Sequence, residues 1–160
     1  MININCCLLN SSEKQAIESI LSSIGMSPAL VQVWHLMDKA WVHHACDNRC
    51  PDSDRLAKFY SDPVWLLNGM FIEQDSVSMG HRHAITTAVT AMAPARVLDF
   101  GGGFGTLARL LAAAMPQAEI AICDPFPPRH GIQSCQSFAN IHYVPELTSQ
   151  SVDVLVSPAT

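Results

Sequence analysis

The run of residues from Asp99 to Gly105 constrains the fold more than any other part of the sequence. It reads Asp-Phe-Gly-Gly-Gly-Phe-Gly, follows the apolar segment 95–100 and leads into the helix-like segment 104–115. Glycine accepts a positive φ and lets another group approach the backbone closely. A helix that begins directly afterwards turns its free N–H groups toward the same space. The run therefore predicts a strand-to-helix turn that holds a nucleotide-like ligand, rather than a bare turn.

The glycine spacing distinguishes two kinds of nucleotide site. The dinucleotide fingerprint is GxGxxG or, more loosely, GxGxxA. Counted from Gly101 the sixth position is threonine, and counted from Gly103 it is alanine, which only the looser form admits. The pattern that stands most plainly is DxGxGxG, from Asp99 to Gly105. An NAD(P)-dependent oxidoreductase therefore stays open as an alternative.

Strand and helix patterns alternate from about residue 95 onward, whereas the preceding part of the chain has only helical patterns. Short apolar strands separated by helices are typical of parallel βαβ units, so we expect an α/β fold. The predicted strands are 95–100, 118–124, 141–144 and 152–156, with a helix at 104–115 and a loop with a short helix over 125–140.

Local signals predict the ends of the N-terminal helices. Asn10 and Glu13 form a capping-box pattern before an apolar stripe that Gly25 ends. Ser27 is predicted to cap a second helix, with Pro28 in its first position. The other helices are predicted at about 53–61, from Asp62-Pro63 through Phe71, and at about 77–93.

The stretch VLDFGGGFGTLARLLAAAMPQAEIAICDPF resembles the S-adenosylmethionine-dependent methyltransferases of the Rossmann-like class. Their first motif is an acidic residue at the end of the first strand followed by GxGxG, and Asp99 and its glycines match it. Asp124 ends the second predicted strand, as the second acid of the family does. The resemblance covers about residues 95–158 and implies a parallel sheet of order 3-2-1-4. It divides the chain into a helical substrate-side region, 1–93, and the first half of a Rossmann-like cofactor-binding domain, 94–160.

The resemblance implies S-adenosylmethionine as the cofactor and a role for each matching residue. Asp99 would meet the cofactor's ammonium group, directly or through water. Gly101 and Gly103 would keep side chains away from the ligand. Asp124 would bond both ribose hydroxyls, and Phe126 would pack on the adenine or ribose face.

Three further positions carry weaker patterns. Arg82 would pair with the cofactor's carboxylate, although an exposed helix end explains it equally well. Glu146 lies where the family contacts adenine, although a plain loop explains it as well, and Ser157 lies where the family's substrate-side motif begins. The predicted cofactor site comprises Asp99, Phe100, Gly101, Gly102, Gly103, Gly105, Asp124, Pro125, Phe126, Arg82, Glu146 and Ser157.

The charge balance favours a small-molecule methyl acceptor. The chain has 9 basic and 14 acidic residues, a net charge of −5, which argues against nucleic acid as a partner. The alternative that is not an enzyme is a cofactor-binding or interaction module without catalytic activity.

Only four strands can be identified in the sequence, so we expect a truncated methyltransferase whose fourth strand is an apolar sheet edge. A second copy of the chain or the N-terminal helices would cover that edge.

The segment from His43 to Cys50 gathers four metal-ligand side chains, those of His43, His44, Cys46 and Cys50. Zinc sites usually contain a CxxC or HxxxH pair and a second ligand pair farther along the chain. This segment has no such pair and no clean second pair follows it, so we expect no metal.

The N-terminus does not have the pattern of a signal peptide, and no segment is apolar enough to span a membrane. These features predict a cytoplasmic protein with free thiols.

Overall fold

The computed structural model describes residues 1–4, 9–147 and 151–157. It divides into two units, Met1–Asp75 and a second that begins at Ser76. None of the helices in the described ranges is both long and apolar enough to cross a membrane. The first unit contains α1 (Ser11–Ile24), α2 (Leu30–His43), α3 (Ser53–Tyr60) and α4 (Pro63–Gln74).

The core of the first unit forms where α4 packs against α1 and α2. Ile17 and Leu21 of α1 are fully buried because they recur four residues apart on one face of the helix. Val33 of α2 and Leu67 of α4 are also fully buried and complete this contact. The helical spacing of apolar residues therefore places the core of this unit.

Two helix starts in the first unit follow from local side-chain chemistry. Asn10 Oδ1 accepts the Glu13 N–H at 2.9 Å, and Glu13 Oε2 accepts the Asn10 N–H at 2.7 Å. Asp62 Oδ1 accepts the Val64 N–H at 2.9 Å, and Pro63 is the first residue of α4. Both predicted starts are confirmed, because each cap satisfies N–H groups that have no partner within the helix.

The predicted start of α2 is wrong. The helix begins at Leu30 with Ala29 as its N-cap, so Ser27 and Pro28 precede it. The Ala29 N–H donates to Gln32 Oε1 at 2.8 Å. The N-cap residue thus has no side chain that caps the helix, and the Gln32 side chain instead accepts the N–H of the N-cap residue itself.

Among the described residues, the second unit is built around a parallel sheet of four strands, β1 (Arg96–Phe100), β2 (Glu119–Cys123), β3 (Ile141–Val144) and β4 (Val154–Val156), in the order β3-β2-β1-β4. This confirms the predicted α/β fold and the strand order 3-2-1-4. One helix connects β1 to β2 and another connects β2 to β3, as expected for parallel strands that are neighbours in the sheet. The helices of this unit are α5 (Ser76–Ala91), α6 (Thr106–Ala114) and α7 (Arg129–Cys135).

The core of the second unit lies between the sheet and α6. Ile120 and Ile122 of β2 and Leu111 of α6 are fully buried. Helix α5 packs against α6 and belongs to this unit, although the sequence patterns grouped it with the helices before it. The division into a substrate-side region, 1–93, and a cofactor-binding domain, 94–160, stays a prediction about function.

Within the described ranges, β4 pairs with β1 and is an edge strand. Leu155 at its centre is 55% exposed. The unpaired backbone N–H and C=O groups of an edge strand can pair with another chain, and proteins usually protect such an edge when its side chains are apolar. Its coverage by a second copy of the chain or by the N-terminal helices stays a prediction.

Candidate functional site

The turn after β1 has a backbone that only glycine adopts easily. The φ angles are +71° at Gly101, +47° at Gly103 and +68° at Gly105. The Gly101 N–H donates to the Cys123 carbonyl at 2.8 Å, which ties the start of the turn to the end of β2. A Cβ on Gly101 would meet no atom within 4 Å, so the turn is open to a ligand at this position.

Asp99, the next-to-last residue of β1, has a fully buried side chain. Neither carboxylate oxygen has a hydrogen-bond partner among the described residues. A Cβ on Gly102 would lie 2.6 Å from Asp99 Oδ2 and 2.7 Å from its Cγ. Glycine at this position is therefore what allows the turn to pass directly over the carboxylate.

The environment of Asp99 favours its protonated form. Burial, with a smaller contribution from the charge of Asp124, raises the pKa of its carboxyl to about 7 against the opposing charge of Arg82. Removing a charge from water without hydrogen bonds is costly, so the group gains from binding a proton instead. A cation brought against this carboxylate would compete with that proton.

Asp124 directly follows β2 and is held by two backbone groups. Its Oδ2 accepts the Gly103 N–H at 2.9 Å, and its Oδ1 accepts the Phe126 N–H at 2.8 Å. The side chain is half-buried, and each oxygen keeps capacity for a further bond. The structure thus brings together the glycine turn and the second acid that the sequence singled out.

Arg82 lies in α5 and is half-buried. Its Nη1 donates to the Ser78 carbonyl one turn earlier at 3.1 Å. Its charge acts on Asp99, as the pKa of that residue records. The Arg82 charge therefore acts within electrostatic reach of Asp99, and its role at a cofactor stays a prediction.

The remaining predicted site residues follow the carboxyl ends of strands, which share one edge of the parallel sheet. Phe126 is half-buried beside Asp124. Glu146 and Ser157 are exposed after β3 and β4, and among the described residues neither forms a hydrogen bond with the glycine turn. Phe100 is 42% exposed and Pro125 is exposed.

Three residues of α7 and β3 that no sequence pattern indicated lie close to the turn. The Tyr143 hydroxyl donates to the Gly103 carbonyl at 2.9 Å. A Cβ on Gly131 would lie 2.7 Å from that same carbonyl oxygen, and one on Gly105 would lie 2.6 Å from Cys135 Sγ. A glycine inside a short helix was the signal that could have indicated this close approach.

The histidine–cysteine segment has other partners in the structure. His44 Nε2 lies 2.8 Å from Asp62 Oδ2, and the Cys46 thiol donates to the Arg55 carbonyl at 3.5 Å. Across the described ranges, no three His, Cys, Asp or Glu side chains are grouped so that they could hold a metal ion. Cys6 and Cys7 lie outside the described residues.

Comparison with known proteins adds a structural likeness. The fold is similar to that of a solved methyltransferase. That structure is the plantazolicin methyltransferase BpumL in complex with a monoazolic desmethylPZN analog and SAH. The match has a TM-score of 0.47 and 13% sequence identity, and it covers 78% of this chain and 49% of that one. The chain thus spans about half the length of this neighbour. No family model and no curated protein matches the sequence.

Proposed function

We propose that this chain binds S-adenosylmethionine and belongs to a methyltransferase that acts on a small-molecule acceptor. The observation that carries the proposal is the buried Asp99 carboxylate beneath the glycine turn, with no hydrogen-bond partner among the described residues. A carboxylate kept in such a place is suited to a cationic ligand group, and the amino-acid part of this cofactor carries an ammonium.

The same carboxylate argues against a dinucleotide. In dinucleotide sites a negatively charged diphosphate lies against the glycine turn and the start of the next helix. Here Asp99 lies under the turn and Asp124 lies beside it. A diphosphate on this turn would meet the Asp99 carboxyl and would be repelled by its ionised form, whereas a positively charged group would favour that form. An acid after the second strand, such as Asp124, is common to both kinds of site, so the distinction rests on Asp99.

Asp124 fits the ribose. The two backbone N–H groups fix its carboxylate plane, and each oxygen retains a lone pair for a hydroxyl. Two adjacent acceptors match two neighbouring hydroxyl donors better than a neutral side chain would. Gly101 is open on the same turn, so a ligand can approach the backbone there.

Arg82 would supply the complementary charge. Its guanidinium pairs well with a carboxylate, and its charge already acts at Asp99. An amino-acid group with one ammonium and one carboxylate would thus meet one anionic and one cationic side chain. The remaining predicted contacts, those of Phe126, Glu146 and Ser157, would extend the site toward adenine and the acceptor.

The chemistry needs little from the protein beyond orientation. When bound, the cofactor supplies a methyl group already activated by its sulfonium. The glycine turn, Asp99 and Asp124 would hold it in a fixed position, and orientation of this kind can contribute on the order of 7–11 kcal/mol toward a barrier. The chain's net charge of −5 disfavours nucleic acid as the acceptor, since phosphates would be repelled.

Calorimetry with S-adenosylhomocysteine, NADH and NADPH tests the cofactor. We expect S-adenosylhomocysteine to bind, and the Asp124→Asn variant to bind it about 10- to 100-fold more weakly, as the loss of a charged double acceptor implies. The matched control is Asp38→Asn, which removes the same charge from an exposed position of α2. Binding of the nicotinamides alone would overturn the proposal in favour of an oxidoreductase.

Transfer itself is tested separately with cofactor labelled in its methyl group and a cell extract. Label in molecules that pass a small-pore filter supports a small-molecule acceptor. Label in retained protein or nucleic acid would refute that part of the proposal. Tight cofactor binding without any transfer would indicate a binding module.

A further inference from the structure

Residue Gly103 is held on both of its sides by side chains from outside the turn. Its N–H donates to Asp124 Oδ2 at 2.9 Å, and its carbonyl accepts the Tyr143 hydroxyl at 2.9 Å. Asp124 follows β2 and Tyr143 lies in β3, so two neighbouring strands hold one residue of the turn after β1. This residue has a φ of +47°, one of several conformations open to glycine, so the two hydrogen bonds select it rather than relieve strain.

The Tyr143 hydroxyl reaches the turn only because two glycines leave room for it. A Cβ on Gly131 of α7 would lie 2.6 Å from the hydroxyl oxygen and 2.9 Å from Phe104 Cα. A Cβ on Gly105 would lie 3.1 Å from the same hydroxyl. Strand β3, helix α7 and the glycine turn therefore all contact this one hydrogen bond, which indicates a specific contact rather than an incidental one.

The hydroxyl remains a donor across the physiological pH range. Burial raises the pKa of Tyr143, and a hydrogen bond with the Cys135 side chain and the nearby charge of Asp124 raise it further. Since the phenol stays protonated, its bond to the Gly103 carbonyl does not depend on pH there. Ionisation of the phenol therefore does not break this contact in that range.

We propose that Tyr143 is a positioning residue for the cofactor site: it fixes Gly103 and, through the Gly103 N–H, sets the direction of the Asp124 carboxylate. This inference rests on the proposed function. Tyr143 touches the back of the turn and acts on a ligand only through Gly103 and Asp124. Its contribution to affinity is the ordering of the turn before a ligand arrives.

The test is a comparison of Tyr143→Phe with Tyr60→Phe, which removes the same atom from a tyrosine of the first unit. We expect Tyr143→Phe to weaken binding of S-adenosylhomocysteine by about 3- to 30-fold, the range for one hydrogen bond and the order it imposes. Tyr60→Phe should change it by less than about twofold. Wild-type affinity in Tyr143→Phe would overturn the inference.

A double-mutant cycle separates positioning from a merely structural role. If Tyr143 acts through Asp124, its substitution should cost little further affinity in an Asp124→Asn background. Two fully additive losses would show that Tyr143 only stabilises the fold and would refute the inference. Equal thermal unfolding of both tyrosine variants would support positioning.

One measurement does not depend on any cofactor. The carbonyl ¹³C signal of Gly103 and the exchange rate of its amide report the two hydrogen bonds directly. In Tyr143→Phe we expect the carbonyl signal to move and the amide to exchange faster. If the wild type fails to bind S-adenosylhomocysteine, the proposed function is wrong, and unchanged Gly103 signals in Tyr143→Phe would refute the positioning of the turn separately.

Discussion

The protonation of Asp99 can be tested by replacing it with asparagine, which has the same shape and no charge. Burial raises the pKa of Asp99 from 3.8 to about 7. Each pKa unit corresponds to about 1.4 kcal/mol, so the ionised carboxylate costs the folded protein about 4 kcal/mol relative to the unfolded chain. Because the side chain is fully buried, solvent screens little of this cost.

The direction of the change in stability with pH depends on whether the folded or the unfolded chain binds the proton more tightly. The folded chain holds it more tightly than the unfolded chain, so wild-type stability decreases as pH rises from about 4 to about 7, and this contribution is constant above pH 7. Asp99→Asn has no such dependence. Its stability advantage should therefore grow by about 2–3 kcal/mol between pH 5 and pH 8.

The assay is urea unfolding at both pH values, followed by the amide NMR signals of β1 and β2. Asp38→Asn, in an exposed position of α2, is the matched control and should show no such growth. A ¹³C titration of the Asp99 carboxyl should give a midpoint near 7, and bound S-adenosylhomocysteine should lower it. A midpoint below about 5, or a variant less stable than wild type at pH 8, would refute the reasoning.

Three further outcomes follow from the contacts described above. Gly131→Ala should destabilise the second unit by more than about 1 kcal/mol, because its Cβ would meet backbone atoms. Gly80→Ala in α5, where a Cβ would meet no atom within 4 Å, should stabilise the same unit by about 1 kcal/mol, and thermal unfolding compares the two variants. Asn10→Ala should cost the first unit about 1 kcal/mol by loss of the α1 cap, measured by urea unfolding. Arg82→Gln should raise the pKa of Asp99 further, and a downward shift in the carboxyl titration would contradict the charge interaction.

Local chemistry explains which parts of the fold could be predicted from the sequence. The caps at Asn10 and Asp62 depend on residues within one helical turn, so they can be recognised directly. The strand order followed from the family resemblance of the glycine motif. The start of α2 was predicted wrongly because serine followed by proline is a common cap, and the competing side chain, Gln32, lies inside the helix.

The site was predictable only where its residues lie close in sequence. The glycine turn and the acid after β2 belong to one βαβ unit, and the family resemblance placed them together. Tyr143 is forty residues from Gly103, and its bond depends on how β3 and α7 pack. The burial of Asp99 beneath Gly102 likewise depends on the path of the folded turn, which the spacing of residues in the sequence does not reveal.

Because β1 lies in the middle of the sheet, binding of a ligand at its end should affect the stability of the whole second unit against unfolding. This strand is hydrogen-bonded to β2 on one side and β4 on the other, and the glycine turn grows directly from its end. Amides in such a strand exchange with solvent only in the rarest and largest openings. A ligand held by the turn would stabilise the folded state by mass action, so its binding should slow amide exchange at Val97 and Leu98, residues it never touches.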